Sequence, residues 1–265
     1  MGATSEERYA VVSCHVERPL DDAVWARFAL MQARRPGGFA IAALMRPADL
    51  GFGEDEATWL ERAREASARG PLGHHTHWTA PDHARPTQGN AGARVLTEGA
   101  RLRELGLSPT LFCGGGWYTD LEVAEACADL GYVDCTPRYN RPPDLPPGAG
   151  WGFMSSPGHV RLPSGRLLRA IPTTYSLGDL ARAIFRWERP RRMPRRVTPR
   201  TRGSFPPLIH VYLHDTDLLD RRRRAALPLL LGVLARRARP IDLDALAALI
   251  DDDDPVFAWD DVARF

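Results

Sequence analysis

The sequence predicts an α/β protein in which parallel strands form the central sheet, because strand and helix patterns alternate along most of the chain. Valine-rich apolar runs such as residues 9–17 are typical of buried strands. Between them lie stretches whose apolar residues recur at helical spacing, such as residues 53–70. Units of this kind form a barrel or an open doubly wound sheet. In both architectures, functional side chains lie where strands end and loops begin.

The predicted elements follow one another in a regular order. Strands are predicted over residues 9–17, 37–45, 70–78, 109–115, 132–136 and 208–215, and helices over residues 53–70, 91–109, 119–132, 219–238 and 242–250. Thr119 and Asp217 are expected to cap the starts of two of these helices. Residues 139–207 are rich in proline and arginine and are predicted to form an irregular insertion in a single domain spanning residues 1–265.

The composition excludes several function classes. All 35 cationic side chains are arginines, so no lysine can form a Schiff base or complete a phosphate-binding P-loop. No apolar run is long enough for a signal peptide or a membrane span, so the protein is expected in the cytoplasm without a membrane partner. The four cysteines form no CxxC pair and are expected to be reduced thiols.

The segment 182–202 carries nine arginines and one glutamate. A charge run of this kind is either a solvated loop or a contact to an anionic substrate or partner. The net charge of the chain is only +2 and no nucleic-acid-binding motif is present, so nucleic acid is not favoured as a partner.

The stretch "HHTHW" at residues 74–78 concentrates three of the eight histidines. On a strand, residues two apart share a face, so His75 and His77 would present adjacent imidazoles and His74 would point the other way. Two such imidazoles can chelate zinc or a similar divalent metal. The alternative is a histidine cluster without metal that hydrogen bonds stabilise.

Two further strand ends carry residues suited to the same chemistry. In "SCHVE", His15 and Glu17 form another pair two residues apart, and Glu17 could be a third metal ligand, a general base, or a surface carboxylate paired with Arg18. In "YLHD", His214 and Asp215 close a strand, and His214 could protonate a leaving group or have a structural role only.

The turn "FCGGGWYTD" contains three successive glycines that allow close approach of a ligand to the backbone. A backbone N–H near Gly115 could stabilise an oxyanion. Trp117 and Tyr118 would offer flat aromatic surfaces on which a sugar can stack.

These motifs, in this order, resemble those of the polysaccharide deacetylase family, also called the NodB-homology or carbohydrate esterase family 4 proteins, over about residues 9–245. The resemblance implies a distorted (β/α) barrel and the metal-dependent removal of acetyl groups from sugars. It matches "HHTHW" to the family's metal histidines and "FCGGGWYTD" to its third motif. It also matches "GYVDCT" to the motif containing Asp134 and Thr136, and "YLHD" to the catalytic acid, which is then His214.

Two positions depart from the family pattern. His15 stands where the family has its catalytic aspartate, and Cys113 stands where it has an arginine that supports this aspartate. A neutral histidine needs no arginine partner, so the paired replacement fits His15 as a base or as a metal ligand. Glu17 could instead have become the base, or deacetylation could have been lost.

The sequence therefore predicts a metal-dependent hydrolase that removes an acetyl or other N-acyl group from a sugar or glycosylated small molecule. The predicted site comprises the catalytic residues His15, Glu17, His214 and Asp215, the metal ligands Glu17, His75 and His77, and the substrate-binding residues Trp78, Gly115, Trp117, Tyr118 and Asp134. The expected metal is zinc, with cobalt or nickel as alternatives. The other two hypotheses are a carbohydrate-binding protein of this fold without turnover and a hydrolase of a non-sugar amide. No oligomeric state is predicted.

Overall fold

The computed structural model describes residues 8–85, 90–140, 150–187 and 208–264. The strands are Tyr9–Val16 (β1), Ile41–Met45 (β2), Leu72–Thr76 (β3), Leu111–Gly114 (β4), Val133–Asp134 (β5), Trp151–Gly152 (β6), Gly158–Arg161 (β7), Leu167–Ala170 (β8), Tyr175–Ser176 (β9), Leu208–His214 (β10), Arg239–Pro240 (β11), Val256–Ala258 (β12) and Ala263–Arg264 (β13). The helices are Asp22–Arg34 (α1), Glu56–Ser67 (α2), Ala91–Glu104 (α3), Leu121–Asp129 (α4), Leu177–Trp187 (α5), Arg221–Ala235 (α6), Leu243–Ala247 (α7) and Trp259–Val262 (α8).

An 11-stranded sheet forms the centre of the protein and is mostly parallel, which confirms the predicted α/β class. Neighbouring strands follow the order β12-β7-β8-β5-β4-β3-β2-β1-β10-β9, and β11 pairs with β1. Among the described strands of this sheet, only the β7–β8 pair is antiparallel. The parallel arrangement brings the carboxyl ends of β1, β3, β4 and β10 to the same edge of the sheet.

The chain from β8 to β9 hydrogen-bonds to two strands that lie far apart in this order. The Ile171 N–H donates to the Asp134 carbonyl of β5 over 2.9 Å, and the Thr174 N–H donates to the His210 carbonyl of β10 over 2.9 Å. β9 then continues beside β10. One continuous segment therefore joins β5 to β10, although four other strands separate these two in the order of the sheet.

Alternation along β1 sends its side chains to opposite faces of the sheet. Ala10, Val12 and Cys14 pack in a core that also contains residues of helices α1, α2 and α6. Val11 belongs to a separate apolar cluster that includes residues of β4, β5 and α7. His15 shares the face of Val11 because the two are an even number of residues apart. The predicted site thus lies on the face turned away from α1, α2 and α6.

Several elements differ from the sequence predictions. Helix α1 was not predicted, although Asp21 caps it and apolar residues follow at helical spacing. The predicted caps Thr119 and Asp217 are wrong. Helix α4 begins after Asp120 and helix α6 after Asp220, because these carboxylates accept the free N–H groups of the first helical turn. The Asp217 carboxylate instead accepts the N–H of residue 214 over 3.0 Å.

The predicted insertion at residues 139–207 contains regular structure. Strands β6 to β9 and helix α5 lie within it, and β7 and β8 form a hairpin whose turn includes Gly165 with a φ of +88°. Most of the arginine-rich segment 182–202, from residue 188 onward, lies outside the described residues. Among the helices that are described, none has the length and apolar character needed to cross a membrane.

Candidate metal centre

Four strand ends bring the predicted histidines together. In the β1–β10 pair His15 lies opposite His214, and in the β3–β4 pair His75 lies opposite Cys113. Strand β3 ends one residue before His77, which lies in the loop that follows. The other histidine of this stretch, as predicted, points away from the site and bonds to Glu98 and Thr76.

Three imidazoles surround the carboxylate of Glu17. Its Oε1 lies 3.6 Å from His77 Nε2, 3.7 Å from His214 Nε2 and 3.9 Å from His75 Nε2. These distances are too long for direct hydrogen bonds. They approach the ~3.3 Å that separates two ligand atoms on a tetrahedral zinc ion with bonds of about 2.0 Å. Of these side chains, Glu17, His75 and His77 have ligand atoms that all lie within 4.8 Å of one another, so these three are spaced as groups that could share an ion.

Hydrogen bonds to backbone carbonyls fix His75 and His77 in the tautomer that a metal requires. His75 Nδ1 donates to the Cys113 carbonyl over 2.8 Å, and His77 Nδ1 donates to the Pro81 carbonyl over 2.7 Å. A carbonyl oxygen only accepts, so each Nδ1 carries the proton and each Nε2 presents a lone pair. Both Nε2 atoms are buried without a hydrogen-bond partner. Buried acceptors of this kind are rare, and here a metal ion would complete them.

The electrostatics of the cluster favour an anionic Glu17 beside a neutral His75. Burial alone would raise the pKa of Glu17, but the facing rings of His75 and His77 lower it well below its usual range. Burial also lowers the pKa of His75 to about 4, so this ring is neutral at pH 7. One carboxylate with two imidazoles is a donor set that catalytic zinc sites use while leaving a position open.

A second group of ligand-type residues, His15, His75 and Cys113, shares one histidine with the first. His15 Nε2 lies 3.6 Å from Cys113 Sγ. Burial raises the pKa of the Cys113 thiol well above its usual value, so binding of an ion there would have to include loss of the thiol proton. The group that contains Glu17 is therefore the better metal site.

His15 lies behind the cluster. Its ring centroid is 4.7 Å from that of His75, 5.0 Å from that of Trp117 and 5.2 Å from that of His214. Burial and the neighbouring imidazoles lower the pKa of His15 well below its usual value, so it is neutral. With 3% exposure, His15 supports its neighbours from below, and its Nε2 is directed at Cys113.

Asp215 fixes the loop that carries Glu17. Its Oδ2 accepts the Arg18 N–H over 2.8 Å, and its Oδ1 accepts the Thr216 N–H over 2.8 Å. Burial raises the pKa of Asp215 to about 6. Because both oxygens bond to backbone groups, the structure gives Asp215 a positioning role beside the predicted catalytic residues.

Arg46 holds the other side of Glu17 and was missed by the sequence reasoning. Arg46 Nε donates to the Glu17 carbonyl over 3.0 Å, and its two terminal nitrogens each donate to a carboxylate oxygen of Glu54 over 2.7 Å. Its side chain is only 5% exposed. No sequence motif marks this pair, because an arginine and a glutamate eight residues apart are common in a chain so rich in both.

The aromatic residues at the glycine turn after β4 differ in their exposure and in the contacts that they make. Trp117 has a φ of +62°, which is unusual for a bulky residue, and its ring packs on His15. The Tyr118 hydroxyl donates to Asp120 Oδ2 over 2.6 Å. Trp78 is buried in a core cluster, and its Nε1 donates to the Gly115 carbonyl over 3.0 Å. Trp78 therefore anchors the turn, whereas Trp117 and Tyr118 remain partly exposed.

Asp134 is not brought into the cluster. It pairs with Phe112 in the β4–β5 register and shares its face, opposite to that of Cys113. Its Oδ1 accepts the Thr136 N–H over 2.8 Å, and burial raises its pKa to about 6. The Thr136 hydroxyl in turn accepts the Gly114 N–H over 2.8 Å, so this motif supports the glycine turn from below.

Gly115→Ala is expected to destabilise the protein by about 1–3 kcal/mol through overpacking. The added Cβ would lie 2.5 Å from the Thr76 carbonyl, 2.6 Å from the Ala84 carbonyl and 3.1 Å from His77 Cδ2. The matched control is Gly232→Ala in α6, where a Cβ meets nothing within 4 Å. The control should gain about 0.5–1 kcal/mol, as alanine does in helices. Urea unfolding of both variants tests this, and equal effects would contradict it.

Comparisons with known proteins give no family. No protein-family profile matches the chain, and no curated protein matches it. Among solved structures, the chain is similar to a 4-alpha-glucanotransferase from Thermococcus litoralis, with a TM-score of 0.49 and 12% sequence identity. The match covers 97% of this chain and 40% of the glucanotransferase chain. A likeness at this level is no evidence of a shared activity.

Proposed function

We propose that this protein is a metal-dependent hydrolase that removes an acetyl or other N-acyl group from a sugar or glycosylated small molecule. The observation that carries the proposal is the convergence of three imidazole Nε2 atoms on Glu17 Oε1, at 3.6, 3.7 and 3.9 Å. Glu17, His75 and His77 would hold the ion. Their nitrogen-rich set suits zinc, with cobalt or nickel as alternatives. The motif order, which resembles the polysaccharide deacetylase family, supports the choice of substrate.

Each side chain of the cluster has a role that its contacts support. A divalent ion held there would acidify a water molecule and polarise the acyl carbonyl. Glu17 is anionic and can take the proton that the attacking water loses as the carbon–oxygen bond forms. The side chain of His214 is 34% exposed. It can therefore reach a bound substrate and protonate the departing nitrogen as the carbon–nitrogen bond breaks. Neutral His15 packs behind His75 and holds its ring. An oxyanion contact from a backbone N–H near Gly115 stays a prediction.

The proposal includes a closed, distorted (β/α) barrel. Its support is the segment from β8 to β9, which hydrogen-bonds to β5 on one side and to β10 on the other. Closing the row β5-β4-β3-β2-β1-β10 through this segment leaves no free edge in that part of the sheet. The site would then lie at the carboxyl-terminal mouth, where barrel enzymes carry their catalytic residues. A location in the cytoplasm and a sugar substrate remain predictions.

A second candidate function is carbohydrate binding without turnover. The observation that favours it is the position of His15, which replaces the family's catalytic aspartate. Its Nε2 is directed at the thiol of Cys113, and the residue is 3% exposed. In this case the protein would still hold the metal as a structural or ligand-binding group. The native chain would have no hydrolase activity, so replacing His214 would not change the measured activity.

The first test is metal content. Protein purified without a histidine tag is expected to carry about one zinc, cobalt or nickel ion per chain by elemental analysis, and His75→Ala is expected to lose it. The matched control is His83→Ala, because His83 is exposed and bonds only to nearby loop atoms. Acetylated amino sugars would then be screened with the loaded enzyme. A native chain that holds no metal and takes none up would exclude the proposed mechanism.

A further inference from the structure

We infer that Arg138 binds a carboxylate group of the substrate, so that the natural substrate is an acylated sugar acid or a similar acyl compound with one carboxylate. Arg138 lies just after β5 and is 8% exposed. Within residues 8–85, 90–140, 150–187 and 208–264, no carboxylate forms an ion pair with it, and its Nε is buried without a hydrogen-bond partner. Buried arginines are normally paired, because an unpaired buried charge is costly.

Two aromatic rings hold the guanidinium of Arg138 in place. Its Cζ lies 4.3 Å from the ring centroid of Trp117 and 4.9 Å from that of Tyr212. These rings are 4.7 Å apart and nearly perpendicular, so the guanidinium occupies the corner between them. Cation–π contacts stabilise the charge through the face of the guanidinium and do not use the N–H groups in its plane; among the described residues, Nε has no acceptor. The residue is thus oriented and still able to bind an anion.

The same two rings connect Arg138 to the metal centre. Trp117 and Tyr212 pack on His15, with ring centroids 5.0 Å and 5.4 Å from it. Tyr212 and His214 also border a cleft of about 510 Å³, whose other walls come mainly from helices α5 and α6. His15 in turn packs on His75 and His214, so one aromatic layer joins Arg138 to the residues around Glu17, and a substrate beside Glu17 is proposed to reach Arg138 with another of its groups. This step rests on the proposed function.

The charge at this position favours a carboxylate. One guanidinium neutralises one negative charge, and its planar edge matches the two oxygens of a carboxylate in a bidentate pair. A phosphate dianion carries a second negative charge that this single guanidinium does not neutralise. Of the two anions, the carboxylate is therefore the one that the described residues accommodate.

Binding of acetate to metal-free protein tests the inference separately from the proposed function. After chelator treatment, isotope-labelled acetate is expected to bind saturably in the millimolar range by nuclear magnetic resonance titration. Arg138→Met is expected to weaken binding at least about tenfold, and Arg138→Lys to weaken it less. The matched control, Arg222→Met, changes an exposed arginine of helix α6 and should bind like the native chain.

Neutral acetamide and inorganic phosphate complete the experiment. Acetamide should not bind, and phosphate should bind more weakly than acetate. The inference is overturned if acetate fails to bind, if Arg138→Met and Arg138→Lys both leave binding unchanged, or if phosphate binds more tightly at Arg138. If Arg138→Met does not fold, the Arg138→Lys comparison decides. Metal content and turnover, which test the proposed function, are measured on metal-loaded enzyme, whereas acetate binding is measured on metal-free protein. Each claim can therefore fail without affecting the test of the other.

Discussion

His214→Gln is expected to lower kcat on an amide substrate by about 100- to 10,000-fold, the range contributed by a general acid. His214 Nε2 lies 3.7 Å from Glu17 Oε1, beside the group that would orient the attacking water. Its backbone N–H is fixed by Asp217 over 3.0 Å, so a glutamine can occupy the same place. Glutamine keeps the polar shape of the side chain but cannot deliver a proton to the departing nitrogen. Metal content should be unchanged, because the proposed ligands are Glu17, His75 and His77.

The leaving group separates this role from a structural one. An amine must be protonated as it departs, whereas nitrophenolate leaves without a proton. His214→Gln should therefore lose far less activity on the acetyl ester of nitrophenol than on an N-acetyl sugar. His83→Gln is the control on an exposed loop histidine and should match the native enzyme on both substrates. An equal loss on ester and amide would show that His214 only shapes the site.

The sequence predicts that the side chains of the cluster lie close together, because the signal is local. His75 and His77 are two residues apart, and His15 and Glu17 repeat that spacing; in each pair the first residue lies in the strand and the second follows directly after its last residue. The position of each pair at the end of a parallel strand then brings them together. The predicted proximity of His214 follows from the same rule. Local spacing and strand direction were sufficient for these residues.

The residues that hold the cluster in place could not be predicted from the sequence, because they act through contacts between segments that are distant in the chain. Arg46 reaches the Glu17 carbonyl across 29 residues, and Asp215 bonds to Arg18 across 197. Trp78 reads as a sugar-binding surface in sequence, but its Nε1 bonds to a carbonyl 37 residues away and the ring is buried. Arg138 gave no signal in the sequence, because its aromatic neighbours come from the turn after β4 and from β10. Such contacts are set by packing, which no spacing rule reports.

Glu54→Gln is expected to lower the free energy of unfolding by about 3–5 kcal/mol, the range for breaking a buried ion pair at one partner. Both oxygens of Glu54 accept from Arg46 at 2.7 Å, and one also accepts the Asp49 N–H over 2.7 Å. The Arg46 side chain is 5% exposed, so water cannot replace the lost carboxylate. Arg46 would then hold the Glu17 carbonyl less firmly, and metal affinity should fall by about 10- to 100-fold, as for other groups that orient ligands.

The matched control for this variant is Glu56→Gln, which removes a carboxylate from a solvated pair. Glu56 bonds to Arg101, whose side chain is 46% exposed, so the loss should be only about 0–1 kcal/mol and should shrink as salt is added. The Glu54 effect should persist in salt because the pair is shielded from solvent. Urea unfolding at two salt concentrations and a competitive metal titration provide the measurements. Glu54→Gln could instead lose no more stability than Glu56→Gln. This result would show that Glu54 does not hold Arg46 in place, and that the hydrogen bond from Arg46 to the Glu17 carbonyl does not position the proposed metal ligand.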